Sequence, residues 1–93
     1  MYMQLEWDEA KRRKNLRKHG IDFMGCEQIF RGATLTVEHS RRDYGESRFV
    51  TIGVLEGRTV TVVHTETHHT IRIISIRKAT RNEQRAYFKH FAN

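Results

Sequence analysis

The residues best suited to chemistry are arginines embedded in strand-like sequence. Residues 70–78 read TIRIISIRK, four isoleucines in nine positions and the strongest strand signal in the chain. On strict alternation Ile71, Ile73 and Ser75 share one face and Arg72, Ile74 and Ile76 the other. Both faces carry isoleucine, which predicts an interior strand covered on both sides. Arg72 nevertheless sits inside it and Arg77 closes it. A guanidinium is almost never fully buried unpaired, so each arginine either meets a carboxylate or lines a cleft that receives an anion. The hairpin register bears on that choice. Glu56-Gly57 is a two-residue turn signal, which sets Leu55 opposite Arg58, Val50 opposite Val63 and Arg48 opposite Thr65. A turn with Glu66 facing His69 sets Val63 opposite Arg72. Opposed residues share a face, so Arg48, Thr65 and Arg72 project together with Val50 and Val63, while His64 falls on the other side with Phe49 and Ile71. Two arginines and a hydroxyl on one patch describe an anion site. Arg77 falls opposite Arg72 unless the strand has ended or twisted by then. His64, Glu66, His68 and His69 have no helical spacing, and no further cysteine or paired carboxylate completes a ligand set, so no metal is expected. Cys26 lies in an apolar helical pattern and reads as core filler rather than nucleophile.

The elements that must position these side chains follow from periodicity and caps. Residues 2–7 alternate weakly and read as a short edge strand or an extended lead-in. Asp8 is an N-cap for a helix over residues 8–19, which Gly20 ends. That helix is cationic, and Lys11, Lys14 and Lys18, three and four apart, share a face. A second helix is expected over residues 22–31, with Phe23, Cys26 and Phe30 on one stripe. From Ala33 the period becomes two. Strands are expected over 33–38, 46–55, 58–65 and 70–78, with residues 39–45 a polar loop carrying Arg41, Arg42 and Asp43. Thr80 and Glu83 fit a capping box that starts a last helix over residues 81–90. Ala86, Tyr87 and Phe91 form its inner face, and Phe88, rotated about 100° from Tyr87, is left partly exposed. The order predicts one α+β domain of two layers over residues 1–93.

Composition sets the class of partner. Lys+Arg number 17 against 11 Asp+Glu, a net charge of +6, and the pI is about 10.0. That balance favours a polyanion such as nucleic acid, an acidic protein or an anionic surface. No apolar run approaches the roughly 20 residues of a membrane span. The first residues lack the apolar region of a secretory signal. A single cysteine fits a reducing cytoplasm.

The segments EWDEAKRRKNLRKHGIDF, GESRFVTIG, VVHT and RIISIRKATRNEQRAYF together resemble the BrnT toxins of bacterial type II toxin–antitoxin systems. Ile76 stands where that family more often has a small residue. The resemblance implies a RelE-like fold, with two N-terminal helices on a mostly antiparallel four- to five-stranded sheet and a C-terminal helix. It also implies an endoribonuclease whose partner is a BrnA-type ribbon-helix-helix antitoxin, with operator DNA contacted only through that antitoxin. A metal-independent ribonuclease uses the RNA 2′-OH as nucleophile on the adjacent phosphate, so the protein must hold the strand and stabilise charge on phosphorus. Arg48, Arg72 and Arg77 are then candidate clamps. Lys11, Lys14, Lys18 and Arg48 are candidate RNA holders, with Lys14 and Lys18 also close to the chemistry. His19, His64, Glu46 and Tyr87 remain open as proton-transfer groups. Of these, His19 is equally a helix cap, Glu46 equally a partner for Arg48, and His64 more readily a structural histidine. Tyr87, Phe88 and Phe91 are the candidate antitoxin contacts. The competing class is a basic module that binds nucleic acid or protein without cutting it.

Overall fold

A computed structural model describes residues 4–41 and 46–92. In chain order the elements are β1 (Gln4–Trp7), α1 (Glu9–His19), α2 (Glu27–Arg31), β2 (Leu35–Arg41), β3 (Glu46–Leu55), β4 (Arg58–Thr67), β5 (Thr70–Lys78) and α3 (Arg81–Phe91). The five strands form one sheet in the order β1-β5-β4-β3-β2. The sheet is mixed: β1 runs parallel to β5, and the other pairings are antiparallel. The chain is therefore α+β, with β5 interior as expected.

Each helix has a local cause. Asp8 Oδ1 accepts hydrogen bonds from the amides of Ala10 and Lys11 at 2.8 and 3.2 Å, which hold its carboxyl below its ordinary range. Gly20 closes α1 at φ 71°, a left-handed conformation that costs glycine little. The second helix is shorter than its apolar stripe suggests. Asp22 turns back to accept from the Met24 amide at 3.0 Å, and the chain passes through Gly25 at φ 91°. Regular helix starts only at Glu27. Phe23, Cys26 and Ile29 are still fully buried against Val60, Val62, Ile71, Ile73 and Ile76. Cys26 is core filler, and burial pushes its thiol up to about 12. Ile29 lies so close to β3 that a Cβ on Gly53 would approach its Cγ2 to 2.7 Å. α3 has both halves of its capping box and packs on the other face of the sheet, where Tyr87 joins Ile52, Ala79 and Leu35.

Three strand expectations are corrected. β2 runs to Arg41, so His39 is in the sheet and not in a loop; residues 42–45 of the expected loop lie outside the described residues. The second hairpin turns at His68 and His69, with Thr67 opposite Thr70, and His69 takes φ 61°. Thr65 therefore faces Arg72, and Val63 faces Ser75 rather than Arg72. The third correction is a β-bulge. His64 pairs with Ile73 and Val63 with Ser75, which leaves Ile74 as the extra residue that reverses the alternation. Ile71, Ile73 and Ile76 are consequently all buried on one face.

Candidate RNA-cleaving face

Reading across the strands on the α3 side gives three rows. The row under α3 is Leu35, Ile52, Thr61 and Arg77, each opposite the next. The middle row is Val37, Val50, Val63 and Ser75. The outer row begins with His39 opposite Arg48 and ends with Thr65 opposite Arg72 and Glu6 opposite Arg72. Phe49 opposite His64 is the last described β3–β4 pair at that end, so the next residues out, Arg48 and Thr65, fall in line between the two halves. The result is a strip of the sheet, the trough, with valines along its middle, His39, Arg48 and Arg72 along one border and α3 over the other. Arginine delivers planar, bidentate N–H donors suited to phosphate, and the valines offer apolar surface.

The bulge also answers where Arg77 points. It shares a face with Arg72, because Thr61 and Thr65, their partners on β4, are four residues apart on a strand paired without interruption to β3. The two arginines differ in freedom. Arg72 Nη1 meets Glu6 Oε1 at 3.3 Å, with both side chains about half exposed. Arg77 is bound more firmly, its Nη1 and Nη2 donating to Glu83 Oε1 and Oε2 at 2.7 and 2.9 Å. Glu83 Oε1 also accepts from the Thr80 amide and from Thr61 Oγ1. The Arg77 hydrogen bonds lead in holding the Glu83 carboxyl down at about 2; the same pair raises the Arg77 pKa.

The other nominated residues are distributed as follows. Lys11, Lys14 and Lys18 are exposed on α1. Asn15 turns that helix to the sheet edge, its side chain accepting from the Ile76 amide at 3.1 Å and donating to the Ile76 and Ile21 carbonyls at 2.9 Å. Arg12 lies toward α2, bonded to Asp22 at 3.1 Å. At 100° per residue the three lysines occupy the flank of Asn15 turned away from Arg12. His19 is exposed at the end of α1 on the Arg12 side. Glu46 opens β3, and its side chain lies outside the described part. Tyr87 is buried and donates its hydroxyl to the Ala33 carbonyl at 2.8 Å, a structural role that takes it out of the trough. Phe88 and Phe91 are 58% and 42% exposed, and Ala86, expected inside, is exposed as well.

His64 sits on the opposite face, stacked on Phe49, edge-on to Phe30 and hydrogen-bonded through Nε2 to Thr51 Oγ1 at 2.7 Å. Burial pushes its pKa down to about 4, so it is a neutral structural histidine at pH 7. A cavity of about 700 Å³ opens beside it between Trp7 and Phe30; none of Arg48, Arg72 and Arg77 lines it. Sequence reasoning missed Asn15, the Glu83 clamp and the membership of His39 in the outer row. The signal for His39 was present: Leu35, Val37, His39 and Arg41 continue one alternation.

The family described as "Ribonuclease toxin, BrnT, of type II toxin-antitoxin system" matches residues 7–83 of the 93. The chain belongs to the BrnT toxin family. No curated protein matches it. A BrnT chain is a ribonuclease toxin with a protein antitoxin as partner. Among the described residues, no helix is long and apolar enough to cross a membrane.

Proposed function

We propose that this BrnT chain cuts RNA in the trough on the α3 side of the sheet, by attack of a 2′-OH on the adjacent phosphate without a metal. The observation that carries the reading is the outer row, in which Arg48 and Arg72 lie in line across the sheet with Thr65 between them. Phosphate rests on that row, bases lie on the valine row, and the Arg48 and Arg72 guanidinium groups meet the charge that builds on phosphorus. Arg77 faces the same side, but its charge is balanced by the ion pair with Glu83. Lys11, Lys14 and Lys18 extend the path along the flank of α1. The arrangement of sheet and C-terminal helix supports a RelE-like reading of the fold. The partner on this reading is a BrnA-type ribbon-helix-helix antitoxin, through which alone the pair reaches operator DNA, and the toxin acts in the cytoplasm.

The test is digestion of RNA by purified protein in excess EDTA, with the fragment ends identified. A 2′,3′-cyclic phosphate paired with a 5′-hydroxyl is expected. Cleavage abolished by EDTA and restored by a divalent ion would overturn the metal-independent route. Binding without any cleavage would make the chain a non-catalytic RNA-binding module.

A further inference from the structure

We propose that His39 is the proton-transfer group of this face, acting as general base on the 2′-OH. The inference rests on the reading that RNA is cut in the trough, and it assigns a role that reading leaves open. The chain has six histidines, and their placement separates them. His64 is buried on the other face, locked to Thr51. His68 and His69 form the β4–β5 turn. His19 ends α1 on the side of Arg12, and His90 lies near the end of α3 beside Phe91. His39 alone among them is placed in the arginine row. It is exposed and directly opposite Arg48, and directly opposed residues in an antiparallel pair hold their Cβ atoms about 4.5–5.5 Å apart.

That spacing suits the division of labour the reaction requires. A phosphate held by Arg48 brings the 2′-OH of the preceding ribose within reach of the neighbouring side chain. Imidazole is the side chain best matched to proton transfer near neutral pH. In the step proposed, neutral His39 accepts the 2′-OH proton on a ring nitrogen as the 2′-oxygen bonds to phosphorus. The bond from phosphorus to the 5′-oxygen then breaks, and the departing oxygen takes a proton from water on this open face. The products are a 2′,3′-cyclic phosphate and a 5′-hydroxyl, with the proton on His39 returned to solvent. The charged groups facing this site from neighbouring strands are Arg48 on β3 and, further along the row, Arg72 with Glu6. The last pair of the β2–β3 ladder is Arg41 with Glu46. β2 is an edge strand, so the strand paired with it is β3 alone.

Kinetics of RNA cleavage by wild type, His39→Ala and Arg72→Ala, measured across pH with and without added imidazole, test the assignment. His39→Ala should lower kcat by about 10²-fold or more with little change in KM, and should lose the acidic limb of the pH–rate profile. Free imidazole should restore part of the rate, an effect that a structural defect would not show. If His39→Ala cuts at the wild-type rate with the same profile while Arg72→Ala is inactive, His39 is not the base and the trough reading stands. A rise in KM with an unchanged profile would make His39 a binding contact and overturn the proposal equally. Wild-type activity in Arg72→Ala would remove the trough reading, and the role of His39 with it.

Discussion

Arg77 and His64 show how placement decides what a side chain does. Arg77 was a candidate clamp and His64 was read more readily as structural, and both are held by neighbours: Arg77 by the two oxygens of Glu83, His64 by Thr51 and two phenylalanine rings. Arg72 lies further out, about half exposed beside Glu6. The burial of His64 has a measurable consequence. Its pKa is lowered from 6.5 to about 4, so between those values the unfolded chain binds the extra proton and the folded chain does not. Stability contributed by neutral His64 is therefore full above pH 6.5 and is lost as pH falls toward 4, by roughly 3 kcal/mol in total. Urea unfolding at pH 7 and pH 4.5 should show this loss in wild type and much less of it in His64→Phe. Equal acid sensitivity in the two proteins would show that His64 is not the group responsible.

At the scale of elements, the ladder was legible in the sequence and its irregularities were not. The Glu56-Gly57 turn gave the β3–β4 register correctly, because two-residue loops leave little freedom. The β5 bulge was missed because strict alternation was imposed on Ile71, Ile73 and Ile76, whose spacing of two and then three is itself a bulge signal. α1 was read from its caps, but nothing local says that it replaces a strand. Beyond Trp7, β1 no longer pairs with β5, and Asn15 satisfies the buried Ile76 amide and carbonyl instead. Asn15→Ala leaves both of those buried groups without their partner and should destabilise the fold by about 2–4 kcal/mol, read as a lower urea midpoint. An unchanged midpoint would mean water replaces the side chain at no cost. The cationic flank of α1 belongs to the same scale. Lys14→Glu with Lys18→Glu should weaken RNA binding and reduce its salt slope by about two units, and an unaltered slope would mark that flank as merely solvated.

For the molecule as a whole, a net charge of +6 and a trough bordered by α3 invite both RNA and an acidic inhibitor. Phe88, 58% exposed on a flank of α3, was anticipated from its rotation away from Tyr87, and Val37 is 51% exposed in the middle row near the open edge. An antitoxin segment anchored on Phe88 would cover the trough. Phe88→Ala should then weaken antitoxin affinity tenfold or more, as loss of an aromatic anchor does, and equal affinity in a binding titration would take Phe88 out of the interface. The shared face of Arg48, Thr65 and Arg72 was readable from turns and alternation, although the reading set Arg72 opposite Val63, two residues from its actual partner Thr65. The return of Arg77 to their face required the bulge, and the capture of that side chain required Glu83, which arrives from the next element. The central claim is that RNA is cut on this face, and cleavage rates of Arg48→Ala, Arg72→Ala and Arg58→Ala test it most directly, with melting temperatures recorded beside them. Arg58 carries the same charge and is exposed on the opposite face beside Val60 and Gln28. The account predicts a fall of about 10²-fold or more for each of the first two, melting temperatures within a few degrees of wild type, and a rate close to wild type for Arg58→Ala. Equal losses in all three, or full activity in Arg48→Ala and Arg72→Ala, would contradict it.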